Sequence, residues 1–330
     1  MATGWLAGTG VKVSRLALGC MSFGGDADEA TSGALYARAR DAGITFFDTA
    51  DVYNHGRSEE FLGRLSAGHR DEIVVATKAY FPVGAGANAR GTSRYHLVRA
   101  CEASLRRLGR EHVDLYYLHR WDDQTQLDET LRAMDDLVSS GKVLYAACSN
   151  FAAWQVARAL GVAALQRLRP LVAIQPMYNL LKRQAEVELL PMASALGVAV
   201  VPYSPTAGGL LTGKWGAQRR PNSGRLTSNA MYQQRYADPA YLAAADGLVA
   251  IATELGVHPA ALAIAWVGGH PAVTSVLLGA RSVAQLDDLI GAASIAMTPE
   301  LRARISALTP EPPPATDRNE ERSGANYGSR

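Results

Sequence analysis

The sequence has almost no net charge. Its 33 basic and 31 acidic residues leave +2 over 330 residues, and the cations are scattered rather than gathered into a stripe. That excludes the usual electrostatic footprint of a nucleic-acid binder. Cysteine is scarce as well: Cys20, Cys101 and Cys148 are odd in number and share no metal-ligand spacing. No metal site is expected of them, and they read as reduced, mostly buried thiols of a cytoplasmic protein. No apolar run approaches the ~18 residues that would cross a bilayer. The opening MATGWLAGTGVKVSR has no apolar stretch behind a charged cluster and does not read as a signal peptide.

Two phosphate-binding look-alikes fail on context. GAGANA, from Gly84 to Ala89, has the letters of a dinucleotide fingerprint, but the next helix begins only after Gly91 and no acid stands at ribose spacing. It reads as a mobile loop. GGLLTGKW carries Trp215 where a nucleotide-triphosphate loop needs Ser or Thr for Mg²⁺, so kinase or ATPase chemistry is not supported.

What the sequence does have is apolar content, 48% of residues, enough to bury one large core. Short β-branched runs alternate with helical stretches: RLALGC, ITFFDT, IVVATK, DLYYLH, VLYAACS, LVAIQ, VAVVPYS and VTSVLLG each precede one. Eight such units with short turns predict an α/β fold, a closed (β/α)8 TIM barrel filling residues 1–309 as one domain. GWLAGTGVKVS is expected to form a β-hairpin across the barrel bottom. RQAEVELLPMASALG is expected to be one helix, and a large irregular insertion follows the seventh strand before the helix PAYLAAADGLVAIATELG. Gly43, Gly109, Gly141 and Gly197 suit left-handed helix caps. The tail 310–330, rich in Pro, Asn, Ser and charge, is expected to be poorly ordered.

Three titratable residues close three successive buried strands: Asp48 ends ITFFD, Lys78 ends IVVATK and His119 ends VDLYYLH. Tyr53 follows just beyond the first. A core has no use for such residues at strand ends, whereas a barrel places its active site there. The pattern predicts catalysis.

In order and spacing, FFDTADVY, GRSEEFLG, ATK, LYYLHRWD, CSNF, IQPMYN, VPYSP and GGLLTGK resemble the aldo-keto reductase superfamily, in particular its bacterial NADP-dependent members, over nearly the whole barrel. The resemblance implies NADPH/NADP+ held extended without a Gly-rich Rossmann turn, and a catalytic group of Asp48, Tyr53, Lys78 and His119. Hydride attack on a carbonyl builds charge on its oxygen, which needs an acid. Tyr53 would be that acid. A free phenol titrates near ~10, and an ammonium at Lys78, aimed by Asp48, is expected to lower that value. His119 would orient the carbonyl, or assist proton transfer at lower pH.

The same resemblance implies cofactor contacts. Ser149, Asn150 and Gln175 would hold the nicotinamide carboxamide and Tyr203 would stack on the ring. Ser204, Pro205, Ala207, Gly208 and Leu210, with Lys214, would belt the pyrophosphate. Met21, Asp48 and Arg225 join the set. Gly279, Arg281, Gln285 and Asp288 would meet the adenosine end, with Arg281 on a 2′-phosphate. Leu289 stands where the family commonly has the Asn that helps to hold adenine.

Candidate pocket walls are Met21, Phe23, Tyr80, Phe81, Trp121 and Trp215, with Tyr53 and His119 at the reacting end. They suit an apolar or aromatic aldehyde or ketone. Arg120 would attract an acidic substrate or point outward, and the insertion from Gly216 to Tyr236 would cover cofactor or pocket. The expected partner is this small carbonyl compound, with no nucleic acid or membrane. Two other readings use the same site: a cofactor-loaded regulatory subunit of the kind the superfamily lends to ion channels, and alcohol oxidation in the reverse direction. The intact four-residue group and the absence of an N-terminal extension argue against the regulatory reading.

Overall fold

A computed structural model describes residues 1–324. The chain opens with an antiparallel hairpin, β1 (Thr3–Trp5) and β2 (Lys12–Ser14). Eight parallel strands follow: β3 (Leu16–Gly19), β4 (Phe46–Asp48), β5 (Val74–Ala79), β6 (Val113–Leu118), β7 (Val143–Ser149), β8 (Ala173–Gln175), β9 (Ala199–Val200) and β10 (Val276–Leu278). Their spatial order is β10-β3-β4-β5-β6-β7-β8-β9. The remaining seam is closed by a parallel bridge between Val200 and Val273. The Thr274 N–H donates to the Val200 carbonyl (2.8 Å) and the Leu277 N–H to that of Pro202 (3.1 Å) across it.

Side chains alternate across each strand, so two cores form. The inner one holds Ala17, Phe46, Ala76, Leu115, Tyr117, Ala147, Ala173, Ala199, Val201 and Leu277. Leu6 and Val13 of the hairpin segment complete it from below, both fully buried. The outer core sets Leu16, Leu18, Phe47, Val75, Tyr116 and Cys148 against the surrounding helices. Arg15 ties the hairpin end to the seam, its guanidinium donating to the carbonyls of Val273 (2.5 Å) and Gly268 (2.7 Å).

The helices between strands are α1 (Glu29–Asp41), α2 (Arg57–Leu65), α3 (Arg94–Leu108), α4 (Leu127–Ser139), α5 (Ala153–Gln166), α6 (Leu189–Leu196), α7 (Arg225–Ser228), α8 (Ala230–Arg235), α9 (Ala240–Glu254) and α10 (Pro259–Gly268). After β10 come α11 (Val283–Ile290) and α12 (Pro299–Ser306). All four expected cap glycines take positive φ, for example 60° at Gly109 and 65° at Gly197.

Two helical expectations change. RQAEVELLPMASALG is not one helix: Gln184–Glu186 is a 3-10 turn and α6 begins at Leu189. Pro191 lacks an N–H and its ring would clash with the carbonyl four residues back, so it is tolerated only in a first turn. The last unit before β10 has two helices rather than one. α10 is buried from Ala260 through Val267, and a helix apolar all round has no stripe by which to recognise it. Among the described residues no single helix is long and apolar enough to cross a membrane. In the tail, residues 310–324 carry a 3-10 turn at Asn319–Arg322; the last six residues of the expected disordered segment lie outside the described ones.

Candidate active site

Period-two alternation builds the site. Two residues beyond the inner-core positions Phe46, Ala76, Tyr117, Ala147 and Ala173 stand Asp48, Lys78, His119, Ser149 and Gln175, which therefore face the barrel axis at its C-terminal mouth. Strand pairing sets Asp48 beside Ala76 and Ser149 beside Gln175. All five side chains are buried.

Lys78 and Asp48 form an ion pair, with side chains 0% and 3% exposed. The Lys78 ammonium also donates to the Thr49 carbonyl (2.7 Å), and the second Asp48 oxygen accepts from the Gln175 amide (2.8 Å). Burying two charges is tolerable only with such complete pairing. Burial alone would discharge Lys78, but Asp48 and Tyr53 outweigh it and raise its pKa above the ordinary lysine value. The ammonium stands 5.2 Å from the centroid of the Tyr53 ring.

Tyr53 opens a tight turn in which Asn54 and His55 hold φ of 50° and 57°. Such backbone needs support. The Asn54 amide gives it, donating to the carbonyls of Met21 (2.9 Å) and Phe23 (2.7 Å). The expected lowering of the Tyr53 pKa does not occur. Burial raises it, Lys78 opposes the rise, and Asp48 adds to it, for a net shift upward. The phenol is kept protonated. His119 meets Tyr53 and Phe81 edge-on at 5.9 and 5.0 Å. Burial and Lys78 lower its pKa to about 3, so it is neutral at any working pH. This overturns His119 as a proton source at mildly low pH.

A cleft of about 730 Å³ runs from Phe81 and His119 to Arg281 and Asp288. Asn150 (φ 57°) donates to the carbonyl of His119 (2.9 Å) and to the Ser149 hydroxyl (3.0 Å), and accepts from the Tyr203 hydroxyl (2.8 Å). The ring of Tyr203 is thereby fixed in the cleft wall. Beyond it Ser204, Pro205 and Gly208 line the cleft with Lys214 and Arg225. The side chains of Ala207 and Leu210 turn into the outer core, which leaves their backbone as the part that a phosphate could meet. Gly208 has φ 68°, and a Cβ there would lie 2.7 Å from the Tyr232 ring. Only glycine lets α8 seat on this loop.

Gly279, Arg281, Gln285 and Asp288 line the far end. Arg281 faces Asp26 at 3.7 Å, and its backbone N–H donates to the Gln285 side chain (3.0 Å). Among the expected walls, Met21, Phe81 and Trp215 line the cleft. Phe23 is fully buried in the outer core. Tyr80 backs Phe81 edge-on at 5.2 Å, and Trp121 packs on Phe151 and Trp154. These three lie behind or beside the wall. Sequence reading missed Tyr232, Arg235 and His258, which also line it. No group of residues fit to hold a metal occurs among the described residues.

The sequence model of the Aldo/keto reductase family matches residues 15–309. Over 279 residues, the chain is 39% identical to the uncharacterized oxidoreductase YrpG of Bacillus subtilis (strain 168), covering 80% of this chain and 82% of that one. It is 39% identical to a probable voltage-gated potassium channel subunit beta of Oryza sativa subsp. japonica, over 78% and 80% of the two chains. Against the versiconal hemiacetal acetate reductase of Aspergillus parasiticus it is 32% identical, over 79% and 83%.

One buried acid at the site had no sequence signal. Asp51 is 1% exposed, neither of its oxygens has a side-chain donor, the Val52 N–H gives its carboxylate some support, and its own backbone N–H donates to the Lys78 carbonyl (3.1 Å). Facing it are Glu59, Arg107, Lys78 and Tyr116. Glu59 accepts from Thr77 (2.5 Å) and Arg107 (2.6 Å), so Arg107 is already committed. Burial and then Glu59 raise the Asp51 pKa to about 8. An unfolded Asp titrates at ~3.9. Between that pH and about 8 the folded chain holds a proton that the unfolded chain has released, so stability falls as pH rises across the window and levels off above it. Asp51→Asn mimics the protonated form. Its Tm gain over the parent should be small at low pH, widen up to about pH 8 and then plateau, with ~1.4 kcal/mol for each tenfold difference in proton affinity as the ceiling. Thermal melts across that range decide it; a gain that does not vary with pH would mean Asp51 is ionised in the fold.

Proposed function

The chain belongs to the aldo/keto reductase family, and on that premise we propose that it reduces an aldehyde or ketone to an alcohol, using NADPH, with Tyr53 as general acid. The observation that carries the reading is the Tyr53 phenol beside a buried ammonium at one end of the cleft. When bound, the cofactor supplies a hydride to the carbonyl carbon. Tyr53 gives its proton to the carbonyl oxygen as charge develops there. Lys78 then stabilises the phenolate left behind, and Asp48 with Gln175 keeps that ammonium aimed. Neutral His119, which lines the cleft, orients the oxygen by a hydrogen bond from its ring.

The cleft's form suits an extended dinucleotide. Gly209 and Gly279 leave open space where a side chain would stand, and Lys214, Arg225 and Arg281 line the stretch beyond Tyr203. Arg281 favours the 2′-phosphate of NADPH by a charge-assisted pair. The three cysteines are free and buried, which fits a reducing cytoplasm. The rice relative is named as a channel subunit, but the complete proton-delivery group supports turnover here.

Tyr53→Phe removes the acid and keeps the ring. Carbonyl reduction should fall by ~10²–10⁴-fold, while the dissociation constant for NADPH, read by fluorescence titration, stays close to the parent's. Turnover at the parent's rate would remove Tyr53 from the role. For Arg281→Ala, the same titration should show NADPH weakened by about tenfold to a hundredfold and NADH little changed. Equal weakening of both would leave Arg281 a surface charge.

A further inference from the structure

The cations around the cleft divide into two groups. Arg281 faces Asp26, and Arg219 pairs with Asp246. Lys214 and Arg225 lie in the stretch that suits the cofactor phosphates. Arg120 and Arg235 remain. Both line the cleft, and no carboxylate of the described residues lies within ion-pair distance of either.

Each has acidic neighbours in sequence, and each of those acids is engaged elsewhere. Asp122 accepts from the Thr92 backbone (2.8 Å) and the Thr125 hydroxyl (2.8 Å), and Asp123 from the Trp121 indole (2.7 Å). Asp238 accepts from the Ala240 N–H (2.9 Å) at the start of α9. Asp48 spends both oxygens on Lys78 and Gln175.

Both guanidiniums line the same cleft as Tyr53 and His119. Arg120 directly follows His119. Arg235 lies over the Tyr232 ring at 5.2 Å. Burial pushes the Tyr203 phenol up, and Arg235 is the first influence opposing it, which places that charge beside the ring-stacking wall.

We propose that Arg120 and Arg235 form an anion-recognition site at the mouth of the catalytic cleft, and that the substrate is a carbonyl compound bearing a carboxylate. This rests on the reductase reading. A planar guanidinium meets a carboxylate in a bidentate pair, and two unneutralised cations raise the local concentration of an anionic substrate. The aromatic walls hold the body between the acid group and the carbonyl.

The test compares 4-formylbenzoate with its methyl ester, with NADPH as reductant; the ester withdraws electrons more strongly and is the more reactive aldehyde, so a preference for the acid must come from the protein. The parent should favour the acid by about tenfold or more in kcat/KM, mostly through KM, and added salt should narrow the gap. Arg120→Met and Arg235→Met should each shrink the acid-to-ester ratio, and the double variant should bring it to one or below. In a parallel titration by protein fluorescence, benzoate should bind the cofactor-loaded parent more tightly than benzamide, and the double variant should lose that difference.

If the ester turns over and the acid has no advantage, the inference falls while the reductase reading stands. If the advantage survives in the double variant, or loss of Arg235 weakens NADPH in proportion and leaves the ratio alone, these arginines serve another purpose. If neither aldehyde is reduced, the reductase reading falls, and the benzoate titration still decides whether the pair binds a carboxylate.

Discussion

A fully buried ion pair between Lys78 and Asp48 is the constraint on which the rest of the site depends. Removing two charges from water costs several kcal/mol per ion unless every remaining hydrogen-bonding position is filled. The barrel meets that demand with three different strand ends: Thr49 beyond β4, Gln175 on β8 and the pair itself on β4 and β5. Only a closed sheet brings those strands to one axis. The charge that survives there then sets its neighbours. It opposes the upward push of burial on Tyr53 and it adds to burial in holding His119 neutral. Acid, stabiliser and orienting group thus follow from one cation in a low-dielectric mouth.

Behind the pair, a second layer is arranged by the same rule. Glu59 is fully buried and spends its oxygens on Thr77 and Arg107. Asp51 is left without a side-chain donor and is driven toward its neutral form. The backbone of Asp51 nonetheless ties the Tyr53 loop to Lys78. On the opposite side, the insertion after β9 is seated by Tyr232 against Gly208 and by Tyr236, whose hydroxyl accepts from Asn179 (3.1 Å). The same Asn179 donates to the Ser204 carbonyl (3.0 Å). One asparagine therefore joins the loop that lines the cleft to the segment that walls its mouth and carries Arg235.

Much of this was legible in the sequence because alternation is a local code. Asp48, Lys78 and His119 stand at the ends of apolar runs, and the period of two gives all three the inward face. The eight-unit count and the hairpin likewise emerge from local patterns. What was not legible depends on contacts between distant segments. Tyr232 and Arg235 lie in an irregular insertion without periodicity, and nothing local predicts that Gly208 will receive them. The bond from Gln175 to Asp48 spans 127 positions. Phe23, Ala207 and Leu210 have the chemistry of wall or belt residues, yet their loops turn the side chains into the outer core. The direction of the Tyr53 shift also escaped the sequence. The ammonium was visible there, but the extent of burial that outweighs it was not.

Tyr53 remains a phenol because burial outweighs an ammonium that pulls the other way. A pH titration of the Tyr53 ring carbon bearing the hydroxyl, followed by ¹³C NMR in the cofactor-free parent and in Lys78→Met, tests it most directly. The midpoint should lie above the ~10 of free tyrosine in the parent and higher still once Lys78 is gone. A parent midpoint below that of free tyrosine, or one that stays put or falls in Lys78→Met, would contradict this balance.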